Sequence, residues 1–232
     1  NDTQLEREVD GLSGSLVTSG NQWAVGPLPQ SIRRVTYTSG VFGPEDYALM
    51  GDIETTSVTS GCQTIIIGRP ITTKNGPDSD SVGSYIQNAA NNLQIGGRQS
   101  EVLVYRIPTE FEPRGFAWDN IMVVYDESQL YRPSIGSLWV HEYVHTRQLY
   151  VDNPVDTVEI RWLREAPSEY YSIRLPYETG DINRIEYEQA IARNEASPYN
   201  SGSLSNRTGE YSYQTPYRKG SVVMAELDRR VR

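Results

Sequence analysis

The sequence predicts an α+β fold in which a mixed or antiparallel β-sheet in the N-terminal part precedes a mostly helical C-terminal half. Three observations lead to this prediction. Short β-branched runs separated by glycine and proline fill residues 1–75, with clear examples at 31–38 and 64–68, and indicate strands. Apolar residues recur at helical spacing over residues 79–93 and alternate over 101–107. Helical spacing then dominates after residue 131.

Length and composition are those of a globular protein. The chain has 232 residues, of which 37% are hydrophobic and 22% charged, so it can bury a core. We expect a single domain, in which residues 1–130 form a β-rich sub-lobe with a backing helix and residues 131–232 form a helical sub-lobe. The net charge of −9 argues against a nucleic-acid partner, because phosphate binding requires basic surfaces. No apolar run approaches the roughly 20 residues of a membrane span.

Weak signals bear on the location of the protein. A lone cysteine, Cys62, cannot form an internal disulfide, so sulfur chemistry does not fix the compartment. The acidic pI near 4.8 suits a secreted protein. The first residue is Asn1 instead of methionine, and Asn1 and Asn206 each begin an Asn-x-Thr sequence. We therefore expect an extracellular or cell-surface protein, whose oligomeric state the sequence leaves open.

The two histidines of the chain lie four residues apart and enclose a glutamate, in the order His141, Glu142, Tyr143, Val144, His145. On a helix, residues i and i+4 share one face, so both imidazoles can reach one metal ion. Glu142 lies beside them, where it can accept a proton from a water on the metal. This is the HExxH pattern of zinc-dependent hydrolases, and it predicts that the helical half carries one Zn²⁺ per chain.

A third protein ligand is expected, because catalytic zinc usually takes three and leaves a fourth position for water. The chain has no third histidine, and its cysteine lies far upstream, so the ligand should be a carboxylate. Glu165 is the candidate, with nineteen residues between it and His145. That length accommodates a loop and the start of a second helix beside the first.

This spacing matches that of thermolysin and lies within one residue of that in the aminopeptidase N family, so the chain resembles a gluzincin zinc metallopeptidase. The resemblance implies a zincin-like catalytic domain that acts on a peptide or protein substrate. Glu169 follows Glu165 by one helical turn, where thermolysin has a carboxylate that accepts the N–H of a ligating histidine. The same role is implied for Glu169.

A second segment resembling the aminopeptidase N family covers residues 115–125. Here Trp118, Asp119 and Asn120 correspond to the Met-Glu-Asn of the family's Gly-x-Met-Glu-Asn strand. The resemblance implies that a strand over residues 116–125 lies along the substrate cleft at the sheet edge, and that Asp119 binds the substrate's amino terminus. Aspartate is one methylene shorter than glutamate, so aminopeptidase and endopeptidase modes both stay open.

A third segment is similar to the family's Tyr-x-Lys-Gly sequence and consists of Tyr217, Lys219 and Gly220. The resemblance implies that the hydroxyl of Tyr217 donates a hydrogen bond to the oxyanion of the tetrahedral intermediate. A phenol is a suitable donor to a developing negative charge. Glu142 would then act as the general base of peptide-bond hydrolysis.

Helices are expected around these residues. One covers about residues 134–149, with Pro133 in its first turn. A second begins at Glu165, because Pro167 is typical of a first turn, and ends near Pro176. Others cover residues 182–196 and extend from 219 to the end of the chain.

Two other functions are compatible with the same residues. One is a zinc-binding interaction module without catalysis. The other is a hydrolase that cleaves a different amide or an ester.

Overall fold

The structure, a computed structural model, describes residues 41–42, 49–50, 52–73, 75–108, 115–126, 128–133, 136–148, 158–204 and 213–231. The strand expected at residues 31–38 lies outside these ranges. Within them, no helix has the length and apolarity needed to cross a bilayer.

The strands, with one helix between the fourth and the fifth, come first along the chain, and the other helices follow, as predicted. The strands are β1 (Val41–Phe42), β2 (Leu49–Met50), β3 (Ile53–Ser60), β4 (Gln63–Pro70), β5 (Glu101–Ile107), β6 (Gly115–Trp118) and β7 (Ile121–Tyr125). The helices are α1 (Ser79–Asn92), α2 (Leu138–His145), α3 (Val158–Glu178), α4 (Arg184–Glu195) and α5 (Thr215–Val231), with a 3₁₀ turn at Pro198–Ser201. The α+β prediction is confirmed.

Five of the strands form one mixed sheet in the order β3-β4-β5-β7-β6. The central strands β4, β5 and β7 are parallel, while β3 and β6 pair antiparallel at the two edges. The strands β1 and β2 form a separate antiparallel pair. The sheet is therefore of the mixed type, with an antiparallel strand at each edge.

The central strand β5 is buried on both faces. Val102 and Val104 join the core that α1 and α2 cover, while Leu103, Tyr105 and Ile107 belong to a second apolar cluster. The alternation expected for residues 101–107 would bury a single face, and this part of the prediction is wrong. A parallel strand that has neighbours on both sides and apolar groups on both faces has a continuous apolar sequence instead of an alternating one.

Helix α1 confirms the helix predicted over residues 79–93. Asp78 is its N-cap, and its carboxylate accepts the backbone N–H of Ser81 at 2.8 Å. The buried stripe includes Val82 and Ile86, which pack into the main core. Helix α1 therefore backs the sheet on the same side as α2, which carries the histidines.

Helix α2 is shorter than the predicted 134–149, because a β-bridge at residue 136 and a cap at Ser137 determine where it begins. Residue 136 is a glycine with φ +76°, and it pairs with Arg132 in an isolated β-bridge. Ser137 then caps the helix by accepting the N–H of Val140 at 3.2 Å. Pro133 consequently lies before the helix and not in its first turn.

Helix α3 begins at Val158, so Glu165 lies well inside the helix and not at its start as predicted. Pro167 and Pro176 are both internal to the helix. A proline at position i leaves the carbonyl of residue i−4 without its usual donor. For Pro176 that carbonyl belongs to Ser172, and it accepts the backbone N–H of Ser137 at 3.0 Å. The proline thus frees a main-chain acceptor that holds the start of α2.

Two other boundaries differ from the prediction. The single strand expected over residues 116–125 is a hairpin, whose turn contains Asp119 with φ +49°. Helix α5 begins at Thr215, four residues earlier than predicted, so Tyr217 lies inside it. Asp119 therefore lies in a turn instead of a strand, and Tyr217 lies in a helix instead of before one.

Replacing Gly136 by alanine should destabilise the fold by about 2–3 kcal/mol. The alanine must adopt a left-handed backbone conformation, and its methyl group collides with Ser172. Gly180→Ala is the matched control. Gly180 has φ +82° but open space around it, so only the backbone cost of about 1 kcal/mol applies. Urea unfolding of both variants measures the difference, and equal losses would show that the contact with α3 contributes nothing.

Candidate metal centre

Three predicted ligands meet between helices α2 and α3. His141 and His145 extend from α2, and Glu165 faces them from α3. The Nε2 atoms of the two histidines are 3.2 Å apart, and Glu165 Oε2 lies 3.4 Å from His141 Nε2 and 3.3 Å from His145 Nε2. Their potential ligand atoms all lie within 4.8 Å of one another. The structure therefore contains the predicted His-His-Glu group.

The size of this triangle fits a zinc ion. In a tetrahedral site with zinc–ligand distances of 2.0–2.1 Å, neighbouring ligand atoms are about 3.3–3.4 Å apart. The three measured separations, 3.2, 3.3 and 3.4 Å, fall around that value. Two imidazoles and one carboxylate are also a donor set that zinc accepts in catalytic sites. Both the geometry and the donor chemistry are thus appropriate for this metal.

The other ring nitrogen of each histidine also has a partner. His141 Nδ1 lies 3.5 Å from Glu169 Oε2, on the helical turn after Glu165. His145 Nδ1 is 3.0 Å from Gln148 Oε1 and 3.2 Å from Ser168 Oγ. Such contacts fix the tautomer and the ring orientation of a metal-ligating histidine. The location of Glu169 is compatible with the role predicted for it.

Glu169 is itself held by a partly buried polar network that reaches α4 and α5. Arg218 Nη1 donates to Glu169 Oε1 at 2.9 Å and to Asn194 Oδ1 at 2.9 Å. The amide of Asn194 then donates to Ser221 Oγ at 2.8 Å. The orientation of His141 consequently depends on three helices.

The electrostatics of the group favour a cation. Burial alone would lower the pKa of His141, but the carboxylates of Glu165 and Glu169 raise it to about 10. Burial opposes ionisation of Glu165, yet the two histidines hold its pKa well below the usual range. The carboxylates therefore create a negative potential at the ligand atoms, which is what a divalent cation requires.

Glu142 is buried beside the ligands. Its Oε2 atom has no hydrogen-bond partner among the described residues. Burial raises the pKa of its carboxyl group, and the charges of the two histidines oppose that shift. On the strand β6, Gly115 passes so close that a Cβ atom there would lie 2.7 Å from Glu142 Oε1. A buried carboxylate oxygen without a partner is suited to bind and deprotonate a water.

Tyr217 lies against the ligands from α5. Its ring stacks on that of His141, with centroids 5.9 Å apart and an interplanar angle of 13°. Burial and the charge of Glu165 raise its pKa, while a hydrogen bond from Arg161 opposes the rise. Helix α5 can approach this closely because residue 220 is a glycine, where a Cβ atom would lie 2.5 Å from that of Ala166.

The predicted substrate residues lie on the hairpin. Trp118 ends β6, and Asp119 and Asn120 form its turn. Asp119 is exposed, and its Oδ1 accepts the amide of Gln99 at 3.1 Å. The strand passes Glu142 at Gly115, so Asp119 follows about 13 Å further along at a rise near 3.3 Å per residue. Its role in binding an amino terminus stays a prediction.

Several residues of the site are not among the predicted ones, although helical spacing places most of them on the same helix face as a predicted ligand. Gln148 and Ser168 follow His145 and Glu165 by one turn, and Arg161 precedes Glu165 by one turn. Arg218 lies beside Tyr217 in the motif already identified. The approach of Gly115 to Glu142 comes from the hairpin and had no local signal.

No protein-family model matches the chain, and no curated protein matches it. Solved structures do match. An aminopeptidase N family protein from Idiomarina loihiensis aligns over 78% of this chain and 38% of its own, with TM-score 0.56 and 14% identity. A two-domain M1 zinc metallopeptidase variant bound to L-tryptophan aligns over 80% of this chain and 42% of its own, with TM-score 0.57 and 13% identity.

This chain therefore spans about two fifths of the length of the two structures. At these identities the likeness concerns the fold. The chain has the zincin-like α+β fold of zinc metallopeptidase structures, and two histidines and a glutamate come together within it.

Substituting glutamine for Glu165 should lower zinc affinity by at least about 100-fold, because the ligand group loses its one anionic donor. Glu188→Gln, at an exposed carboxylate on α4, is the control and should keep the wild-type affinity. Isothermal titration with zinc, after removal of bound metal by a chelator, measures both. Wild-type protein that binds no zinc, or a Glu165→Gln variant with unchanged affinity, would contradict the ligand assignment.

Removal of the Glu169 side chain should lower zinc affinity by about 10- to 100-fold, since His141 loses the acceptor that orients it. The exposed Glu195 on α4 provides a control in Glu195→Ala. Competition with a chromophoric chelator gives the two affinities. If both variants bind zinc as the wild type does, Glu169 has no part in orienting His141.

Proposed function

We propose that the protein is a zinc-dependent peptidase of the aminopeptidase N (M1) family, with one zinc ion held by His141, His145 and Glu165. One observation carries the proposal. The ligand triangle has the dimensions of a tetrahedral zinc site and lies beside Glu142, whose buried oxygen has no partner among the described residues. The fold of the metallopeptidase structures supports the same assignment.

The metal and the side chains of the protein have separate roles in this mechanism. Bound zinc supplies Lewis-acid chemistry, by which it polarises the scissile carbonyl and acidifies water. Glu142 accepts a proton from the attacking water and transfers it to the leaving amine. Its burial raises its pKa, so the carboxylate is a stronger base than an exposed glutamate would be.

Tyr217 stabilises the oxyanion in this mechanism. Its ring stacks on that of His141, one of the three ligand residues. Burial keeps the phenol protonated by raising its pKa. A protonated phenol can donate a hydrogen bond to the negative charge that develops on the carbonyl oxygen.

The substrate is a peptide or a protein segment in extended form. The strand β6 lies at the edge of the sheet, and its Gly115 passes Glu142. An edge strand can hold an extended chain through main-chain hydrogen bonds, as in strand addition. The absence of a Cβ atom at Gly115 allows the strand to pass this close to the base. If Asp119 binds an amino terminus, cleavage proceeds from that end, and otherwise it is internal.

The presence of a base and an oxyanion donor beside the ligands counts against a zinc-binding module without catalysis. Hydrolysis of another amide or of an ester would use the same residues, so a substrate panel must separate that function from peptidase activity.

Replacing Glu142 by glutamine should lower kcat/KM for peptides by at least about 100-fold, because the variant lacks the base but keeps the shape of the side chain. Zinc content should remain near one per chain. The control is again Glu188→Gln, which should cleave at the wild-type rate. Cleavage of a mixed peptide library, read by mass spectrometry, also reveals whether cuts are terminal or internal.

Wild-type rates in the zinc-loaded Glu142→Gln variant would remove Glu142 as the base. Zinc-loaded wild type that cleaves no peptide, but hydrolyses an ester or a small amide, would favour the other hydrolase. Loaded protein that cleaves nothing would favour the interaction module.

A further inference from the structure

The pairing of β6 with β7 determines which main-chain groups of this edge strand face outward. A two-residue turn joins Trp118 to its partner Ile121, and the residues on either side of such a turn hydrogen-bond to each other. Hydrogen-bonded and non-hydrogen-bonded pairs then alternate along the two strands. The main-chain groups of Gly115 and Ala117 therefore point away from β7, toward the edge of the sheet.

Arg164 occupies this edge at Ala117. Its Nη2 atom donates to the carbonyl oxygen of Ala117 at 3.1 Å. A substrate that added to β6 as a further strand would run about 4.8 Å away and would offer its own N–H groups to the outward carbonyls. The guanidinium of Arg164 thus lies where the main chain of such a substrate would pass.

The exposure of β6 changes along the strand as this contact requires. Ala117 is only 3% exposed although it belongs to an edge strand. Gly115, two residues earlier, is partly exposed. The exposure of a residue includes its main chain, so a low value at an edge position means that the outward groups are covered. The edge is accordingly open at Gly115 and closed at Ala117.

The open part of the edge lies next to the proposed base. A Cβ atom at Gly115 would lie 2.7 Å from Glu142 Oε1. Ala117 follows Gly115 by two residues, which is about 7 Å along the strand at a rise near 3.3 Å per residue. The distance between the base and the guanidinium therefore accommodates about two residues of an extended chain.

Arg164 is anchored both at its main chain and at its side chain. Its carbonyl accepts the amide of Gln148 at 2.8 Å and the hydroxyl of Ser168 at 3.1 Å, which fixes this turn of α3 beside the end of α2. Within the part of the chain that the structure describes, the carbonyl of Ala117 is the one acceptor of its guanidinium. A substrate that displaced the guanidinium would have to break that hydrogen bond.

We propose that Arg164 is a specificity-determining residue that closes the substrate edge of β6 at Ala117. An extended substrate then has no more than about two residues on that side of the bond that is cleaved. The inference rests on the proposed peptidase function, and it narrows the substrate to the end of a chain. A longer segment is excluded because it meets the guanidinium and finds its carbonyl acceptor already bonded.

The first test measures the lengths of the initial products. Zinc-loaded wild type acts on long peptides with free ends, and mass spectrometry identifies the products before they are cut again. One product of each wild-type cut should contain about one or two residues. In Arg164→Ala, cuts that release at least about three residues from the same end should gain about 10-fold or more in kcat/KM, because the edge is open.

Two further variants show whether the contact with Ala117 is responsible. Arg164→Lys can still donate to the carbonyl of Ala117, so it should keep the short wild-type products. The control Arg184→Ala removes an exposed arginine from α4 and should also keep them. All variants should retain about one zinc per chain, as expected if Arg164 does not act through the metal.

Two outcomes would overturn the closure while leaving the peptidase assignment intact. One is a wild-type enzyme whose initial cuts leave more than about three residues on both sides. The other is a folded, zinc-loaded Arg164→Ala variant that gives the wild-type products. If the alanine variant does not fold, the product lengths of wild type still decide the question.

A binding measurement gives a readout that does not depend on turnover. Phosphinic peptides carry a phosphinate in place of the scissile amide, and they can be lengthened on either side of that group. On one side, extension from two to four residues should weaken calorimetric affinity for zinc-loaded wild type by about 10-fold, and for Arg164→Ala by less than about 3-fold. Equal affinities of wild type for both lengths on each side would overturn this inference alone. Wild type and Arg184→Ala that both cleave no peptide would instead overturn the proposed function.

Discussion

The attachment of the short helix α2 to α3 at both of its ends determines the geometry of the whole site. At the start, the N–H of Ser137 donates to the carbonyl of Ser172 at 3.0 Å. After the end, the amide of Gln148 donates to the carbonyl of Arg164 at 2.8 Å and to Ser168 Oγ at 3.2 Å. Two ligands come from α2 and one from α3, and zinc tolerates ligand displacements of only about 0.2 Å. Without these attachments the triangle would not keep its dimensions.

The opposite face of α2 is anchored to the sheet by polar contacts. The Tyr143 hydroxyl donates to Gln63 at 2.9 Å and accepts from Arg147 at 3.1 Å, while Arg147 Nε donates to the carbonyl of Gly97 at 2.6 Å. Buried groups of this kind are costly unless every partner is present. The HExxH sequence therefore holds two kinds of residue: those that face the metal, and Tyr143 and Val144, which are fully buried on the other side.

The sequence predicted the ligand group well, because a metal site needs particular side chains at particular spacings. With two histidines in the chain, one pairing was possible. The number of ligands that zinc requires indicated a carboxylate, and the spacing from His145 indicated Glu165. Helix α1 was also predicted correctly, since Asp78 caps it and its apolar stripe is regular. These patterns are local in the sequence, and few other structures or functions would produce them.

The failures arose where tertiary contacts override local preference. The sequence predicts that Pro167 lies in the first turn of a helix, yet α3 begins at Val158. Leu163, the residue whose carbonyl loses its usual donor to this proline, is an exposed residue of α3. The turn at Asp119 was missed because aspartate followed by asparagine is a weaker hairpin signal than asparagine or aspartate followed by glycine. The contact between Arg161 and Tyr213 joins residues 52 apart, and spacing along the chain carries no information about it.

The length of α2 has a consequence for folding. A helix of eight residues is too short to persist in an isolated chain, because nucleation costs more than so few hydrogen bonds return. Its contacts reach Gln63, eighty residues away, and Ser172 on the later helix α3. Both ligand histidines thus belong to an element whose helical form depends on its contacts with the sheet and with α3. We accordingly expect the three ligand groups to come together only in the folded chain, since the histidines lie on α2 and Glu165 lies on α3.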